Sequence, residues 1–364
     1  MTATVRGAAL AVLSALWVTV SLPAQGVPDS LRSIAQVHDT LVTHGEELGE
    51  KLWPGFRPDT IRTLYVSPGV GKLYVHRGED TPEGFRPYPS RPGWAWAGTE
   101  SVQFPRENVA YGAVQSTEAS TMALTVHEAL HVYQTASAGD HRGFGRRENA
   151  LRVVDYPVFD STNEALLALE GRLLKAAIDA PEEEAAVSRA RDVLEVRSRR
   201  RRQLPEEMIT FERRTELNEG LAQYVQLRTL MELRDDPGLP WGEEAADAVR
   251  EQLGRLDDVL ASTSRSARLR FYSTGASMGL LLDRLAGEGW KSELMNRDVA
   301  VEDVLAEELE ARQGSPPVSV SEDDLDRLFA RWGPEIRDQA SRSVAELAKR
   351  RETLRDSILS ADGL

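Results

Sequence analysis

Thr125-Val126-His127-Glu128-Ala129-Leu130-His131-Val132-Tyr133 is the stretch around which the chain is read. An α-helix advances about 100° per residue, so His127 and His131, four positions apart, emerge only about 40° from one another. Two imidazoles on one face can share a Zn2+ ion, and Glu128 beside them can reach a metal-bound water as general base. Met122, Val126, Leu130 and Tyr133 recur at helical spacing and give the same helix an apolar stripe. That stripe fits a plain core helix with two histidines, and equally a zinc helix, which must also pack. With only six histidines in 364 residues, chance placement of His-Glu-x-x-His is on the order of one in a hundred, so metal binding is the stronger reading. Ser116 and Thr117 offer an N-cap and Gly139 a stop, which predicts a helix over 117–137.

Composition sets the setting for this motif. The chain is 41% hydrophobic, enough to bury a sizeable core in one large domain or two tightly packed ones. A net charge of −14 argues against a general nucleic-acid binder and against adhesion to anionic lipid. Arg6, the apolar run 8–20 and Ser21-Leu22-Pro23-Ala24-Gln25 have the order of a secretory signal peptide, with cleavage after Ala24. The expected setting is therefore exported, periplasmic or extracellular, with no stable membrane insertion after cleavage and a tether only if the signal stays uncleaved. No cysteine is present, so a metal site must be built from His and carboxylate.

Along the chain, Leu31, Ile34, Val37, Leu41 and Leu48 predict a helix over 28–52, ended by Trp53-Pro54-Gly55-Phe56. Short β-type runs follow at 60–66 and 72–76, with two more at Trp94-Ala95-Trp96 and 109–114, and a Pro- and Gly-rich loop over 80–93. His141 falls in a loop and is a candidate ligand or substrate contact, although a solvated histidine is the ordinary outcome there. Helical patterns then occupy 163–180, 181–203, 206–233, 243–260, 267–286, 301–312 and two C-terminal segments. Arg197 and Arg199 to Arg202 form one basic cluster, read as a solvated helix end paired with acidic neighbours such as Glu182 to Glu184 rather than a nucleic-acid patch. The fold class expected is α+β, mostly α-helical, with a small N-terminal β-sheet leading into the zinc helix. The expected divisions are a signal peptide (1–24), an N-terminal helix and linker (25–59), sheet plus zinc helix (60–138), a helical domain with an inserted hairpin (139–290) and C-terminal helices (291–364).

A catalytic zinc usually has three protein ligands and one open position, so a third ligand must come from elsewhere in the chain. Glu219 is the strongest candidate: Glu212, Glu216, Glu219 and Gln223 form a polar stripe at helical spacing, and Gly220 permits a close helix approach. The ordinary reading of such a stripe is a solvated acidic face. Asn163-Glu164-Ala165 offers a rival in Glu164, and Glu216 can serve as partner to a ligating histidine.

His127-Glu128-x-x-His131 with Asn218-Glu219-Gly220-Leu221-Ala222 resembles the gluzincin metallopeptidases, particularly the aminopeptidase-N-like and glycyl-aminopeptidase-like families. The resemblance covers roughly 109–290 and is specific at three short motifs. It implies one Zn2+ on His127, His131 and Glu219, and Glu128 as general base. It also implies, through Phe271-Tyr272-Ser273-Thr274-Gly275, that Tyr272 donates a hydrogen bond to the tetrahedral oxyanion. The gap from His131 to Glu219 is longer than is usual for aminopeptidase-N-like enzymes and holds the hairpin 163–203. The Gly-x-Met-Glu-Asn motif of the exopeptidases is absent; its nearest counterpart is Tyr111-Gly112-Ala113-Val114-Gln115. The expected activity is zinc-dependent hydrolysis of a peptide or protein substrate, held by β-addition if 110–114 is an edge strand. The competing expectations are a non-catalytic exported zinc- or peptide-binding protein and a helical exported domain without metal.

Overall fold

The computed structural model describes residues 29–67, 72–76, 85–88, 102–104, 107–113, 115–137, 143–260, 262 and 267–360. The expected signal peptide, the run Trp94-Ala95-Trp96, Gly139 and His141 lie outside the described residues.

The chain is mostly helical, as its apolar periodicity implies. Helix α1 (Asp29–Leu52) buries Ile34, Val37, Leu41, Leu48 and Leu52 along one face. The chain turns just beyond it at Gly55, whose φ of 71° lies in the left-handed region that glycine enters without steric cost. Five strands follow: β1 (Thr63–Ser67), β2 (Lys72–His76), β3 (Phe85–Tyr88), β4 (Val102–Phe104) and β5 (Glu107–Ala113). They align in the order β3-β2-β1-β5-β4, with β1 and β5 parallel and the other neighbours antiparallel. Strand β3 falls inside the segment 80–93 that composition assigns to loop. It is an outer strand of the sheet, where Pro87 is tolerated because a missing N–H need not disturb a central ladder. Strand β5 hands the chain to α2 (Glu118–Ala136), the helix of the His-Glu-x-x-His motif. Its bounds agree with the expected 117–137, and the Thr117 hydroxyl caps it by accepting from the Ser120 N–H at 3.2 Å.

The remaining helices are α3 (Ser161–Ile178), α4 (Glu183–Arg201), α5 (Glu206–Thr215), α6 (Leu221–Asp235), α7 (Gly242–Leu260), α8 (Ala267–Ala286), α9 (Gly289–Asn296), α10 (Val301–Gln313), α11 (Glu322–Trp332) and α12 (Ile336–Ser360). One π-helical turn, Glu216–Gly220, joins α5 to α6. Buried side chains from α1 (Val37), α2 (Val126), α3 (Leu169), α8 (Leu281), α10 (Leu305) and α11 (Phe329) join one apolar cluster. The hairpin α3–α4 is part of that core: Leu166, Leu169, Leu173, Val193 and Val196 are all buried in it. No helix among the described residues is long and apolar enough to cross a membrane.

The basic cluster departs from its expected solvated state. Arg197, Arg200 and Arg201 are buried, at 2%, 1% and 9% exposure. The Arg197 guanidinium donates to Glu170 at 3.0 Å, to both oxygens of Glu216 at 3.1 and 2.8 Å, and to Glu302 at 2.9 Å. Arg200 donates to Glu212 at 2.9 Å and also reaches Glu170, while Arg201 donates to Glu212 at 2.7 Å and pairs with Glu302. Burial opposes ionisation of Glu212, but Arg200 and Arg201 hold its carboxyl well below the usual range. The helices α3, α4, α5 and α10 and the π turn are thus tied together through charge-assisted bonds in the interior. The physical reason is geometric: Ala186, Ala190, Val193, Arg197 and Arg200 follow one helical stripe, so the arginines continue the inward face of α4. Arg202 alone of the run is exposed, and Arg199 reaches Glu322 on α11.

Glycines set the distance between the site-bearing helices. A Cβ on Gly220 would stand 2.7 Å from the Gly275 Cα, and one on Gly275 would stand 2.6 Å from the Glu216 carbonyl oxygen. Both neighbours are backbone and cannot swing aside. Gly220→Ala is therefore expected to force the π turn from α8 and destabilise the fold by about 1–3 kcal/mol, partly offset by the better helix propensity of Ala. Urea denaturation reads this directly; an unchanged midpoint would contradict the close packing.

Candidate metal centre

Helix α2 places His127 and His131 on one face, and the π turn brings Glu219 against them. The Glu219 Oε2 atom lies 3.3 Å from His131 Nε2 and 3.9 Å from His127 Nε2. One donor atom from each of the three residues falls within 4.8 Å of the others, and among the described residues this is the one such trio of His, Cys, Asp or Glu side chains. Donors about 2.1 Å from a tetrahedral ion sit about 3.4 Å apart, so the His131–Glu219 separation already suits shared ligation and the His127–Glu219 separation needs a small closure. Two nitrogens and one oxygen, with no sulfur, are the donor set of a catalytic rather than a structural zinc site. The donors fit the ion.

The π turn explains why Glu219 leaves the stripe of its neighbours. Glu212 and Glu216 are turned inward to the arginines of α4. An i→i+5 turn advances less per residue than an α-helical one, so Glu219 is rotated away from their face and towards α2. Glu216, considered above as a partner for a ligating histidine, is occupied by Arg197 and by the Thr274 hydroxyl instead. Glu164 accepts from Arg270 at 2.6 Å and stands outside the trio.

The partner of His131 is Gln134, one helical turn further along α2. Its Oε1 lies 3.1 Å from His131 Nδ1, its Nε2 donates to the Leu217 carbonyl at 3.0 Å, and Asn218 Nδ2 donates to its Oε1 at 2.9 Å. An Nδ1–H donated to an amide oxygen leaves the Nε2 lone pair for a metal. Gln134 also ties the histidine to the turn that bears Glu219. On the far side of the turn, Glu219 Oε1 accepts from Arg268 Nη2 at 2.9 Å.

The protonation states show how strongly these groups interact. Burial opposes a charge on His131, but the hydrogen bond and charge of Glu219 outweigh it and raise its pKa to about 9. Burial and the neighbouring His131 push His127 down to about 3. Burial would raise Glu219, yet the hydrogen bond and charge of His131 and the charges of His127 and Arg268 bring it down to about 2. The trio is thus poised as carboxylate, one neutral imidazole and one proton that a cation would displace.

Glu128 is fully buried, with Oε1 3.9 Å from His127 Nε2. Tyr272, on α8, comes to the same place: its ring lies 5.0 Å from the Arg268 guanidinium carbon. Burial, the Glu219 charge and a hydrogen bond to Glu219 hold its proton on well above the usual phenol range. All five residues expected from the sequence, His127, Glu128, His131, Glu219 and Tyr272, therefore meet in one region. Four that sequence reasoning gave no role, Gln134, Glu148, Asn218 and Arg268, surround them. The available signals were positional: Gln134 is three residues after His131, and Arg268 is four before Tyr272, each on the face of the residue it serves. Comparison with protein-family models, with curated proteins and with solved structures returns no match for this chain.

Proposed function

We propose that the chain is an exported zinc metallopeptidase that hydrolyses peptide bonds. One observation carries this reading: two histidines and a glutamate converge to within 4.8 Å, with a buried glutamate adjacent in sequence to the first histidine. His127, His131 and Glu219 would hold the ion. A bound zinc supplies a Lewis acid and a water of lowered pKa. Glu128, buried beside the trio, takes the proton of the attacking water and delivers it to the leaving amine. Tyr272 keeps its proton at neutral pH and donates to the oxygen on which negative charge develops. Gln134 keeps His131 in the ligating tautomer. A structural site has no use for a fully buried carboxylate at position 128, which favours catalysis over metal storage.

Peptide recognition by β-addition was expected only if 110–114 formed an edge strand, and strand β5 is instead interior in the strand order, between β1 and β4.

Glu219→Ala is the test of the ligand set. Zinc bound after dialysis, read by elemental mass spectrometry, is expected to fall from about one ion per chain to a small fraction, because two imidazoles alone hold zinc weakly. Full occupancy in that variant would exclude Glu219 as a ligand.

A further inference from the structure

Arg268 stands between three groups of the site. Its Nη2 donates to Glu219 Oε1 at 2.9 Å, its Nε donates to Glu148 Oε1 at 2.8 Å, and its guanidinium carbon lies 5.0 Å from the centroid of the Tyr272 ring. Glu148 is itself fixed: its Oε2 accepts from the Thr215 hydroxyl at 2.8 Å, immediately before the π turn. We propose that Arg268 is a positioning residue that restricts Glu219 to ligation through one oxygen, and that Glu148 is its anchor. This inference rests on the metal-site reading of His127, His131 and Glu219.

The two oxygens of Glu219 have separate duties. Oε2 faces the imidazole nitrogens at 3.3 and 3.9 Å, while Oε1 points to Arg268. A carboxylate left to itself can bind a cation through one oxygen or through both. A charge-assisted hydrogen bond to Oε1 occupies that oxygen and sets the carboxylate plane. Binding through both oxygens would fill the position that a catalytic ion must keep open. The guanidinium can do this because it is a rigid planar fork: Nε and Nη2 both hold Glu148 while Nη2 also reaches Glu219, which a lysine ammonium cannot match. The same group lies against Tyr272, one helical turn along α8, through a cation–π contact. Third ligand and tyrosine are thus set by one side chain, and that side chain is referenced to the residue before the π turn.

Co2+ substitution in the full chain tests this, since its visible absorption is strong in four-coordinate sites and weaker in five-coordinate ones. The parent is expected to show the strong four-coordinate band. Arg268→Met and Arg268→Lys are expected to show a weaker five-coordinate spectrum and a cobalt affinity lower by about 10- to 100-fold in competition with a chelator. Glu148→Gln is expected to move both in the same direction by less, and it covers the case in which Arg268→Met does not fold, as judged by circular dichroism. A parent that binds no Co2+ overturns the metal-site reading itself. A parent that binds, with Arg268 variants of unchanged spectrum and affinity, overturns the positioning role alone. If those variants keep the spectrum and raise KM only for peptides with a free carboxylate near the cleaved bond, Arg268 contacts substrate and the positioning role is likewise overturned.

Discussion

Replacing Glu128 with Gln is expected to lower the kcat for a cleavable peptide by about 10²- to 10⁴-fold while zinc content stays at the parent level. Glu128 is fully buried, and His127, His131 and Glu219 come together without it. Gln has almost the same shape and can accept a hydrogen bond, but it cannot take a proton from water at neutral pH. The loss should therefore fall on turnover rather than on metal binding or folding. Initial rates at matched zinc stoichiometry check this. Activity within a few-fold of the parent would remove Glu128 from the proton transfer and leave the buried carboxylate without a role.

The second large effect concerns stability. Arg197→Leu is expected to destabilise the chain by about 3–5 kcal/mol, because it leaves buried carboxylates without their counter-charge. The Arg197 side chain is 2% exposed and donates to Glu170, Glu216 and Glu302, which come from three different parts of the chain. Glu216 begins the π turn, so zinc affinity should fall along with stability. Arg202→Ala, at the exposed end of the same run, is expected to change stability by no more than about 0.5 kcal/mol. Urea denaturation of the two variants compares them directly. Equal midpoints would show that the buried pairs are stabilised no better than surface ones.

How much was legible in the sequence follows from the range of the interactions. His127, Glu128 and His131 are set by one helical turn, so spacing alone locates them, and the bounds of α2 follow from Thr117 and the apolar stripe. Glu219 was legible through its resemblance to a known motif and the small Gly220, which does meet Gly275 across the helix interface. The arginines of α4 were not. A run of Arg has the same composition on a solvated face as in an interior, and what decides is whether carboxylates arrive from α3, α5, the π turn and α10. The helical phase of Arg197 and Arg200 with Val193 held that information, but it competes with the strong general preference of arginine for water. The π turn was also hidden: 206–233 reads as one continuous helix, and only the opposing demands of Glu216 and Glu219 require an extra residue in the turn. Spacing along one helix pairs Gln134 with His131 and Arg268 with Tyr272, but their other partners, Leu217 and Asn218 for Gln134 and Glu148 and Glu219 for Arg268, lie across the fold and are not legible from it.

The most direct measurement is mass-spectrometric analysis of a mixed peptide library incubated with the zinc-loaded chain, alongside the Glu128→Gln variant loaded to the same level. Cleavage by the parent and none by the variant is the expected result, and the positions of the cuts then separate exopeptidase from endopeptidase action. No cleavage by a parent shown to hold one zinc per chain would contradict peptide hydrolysis as the work of the His127–His131–Glu219 site.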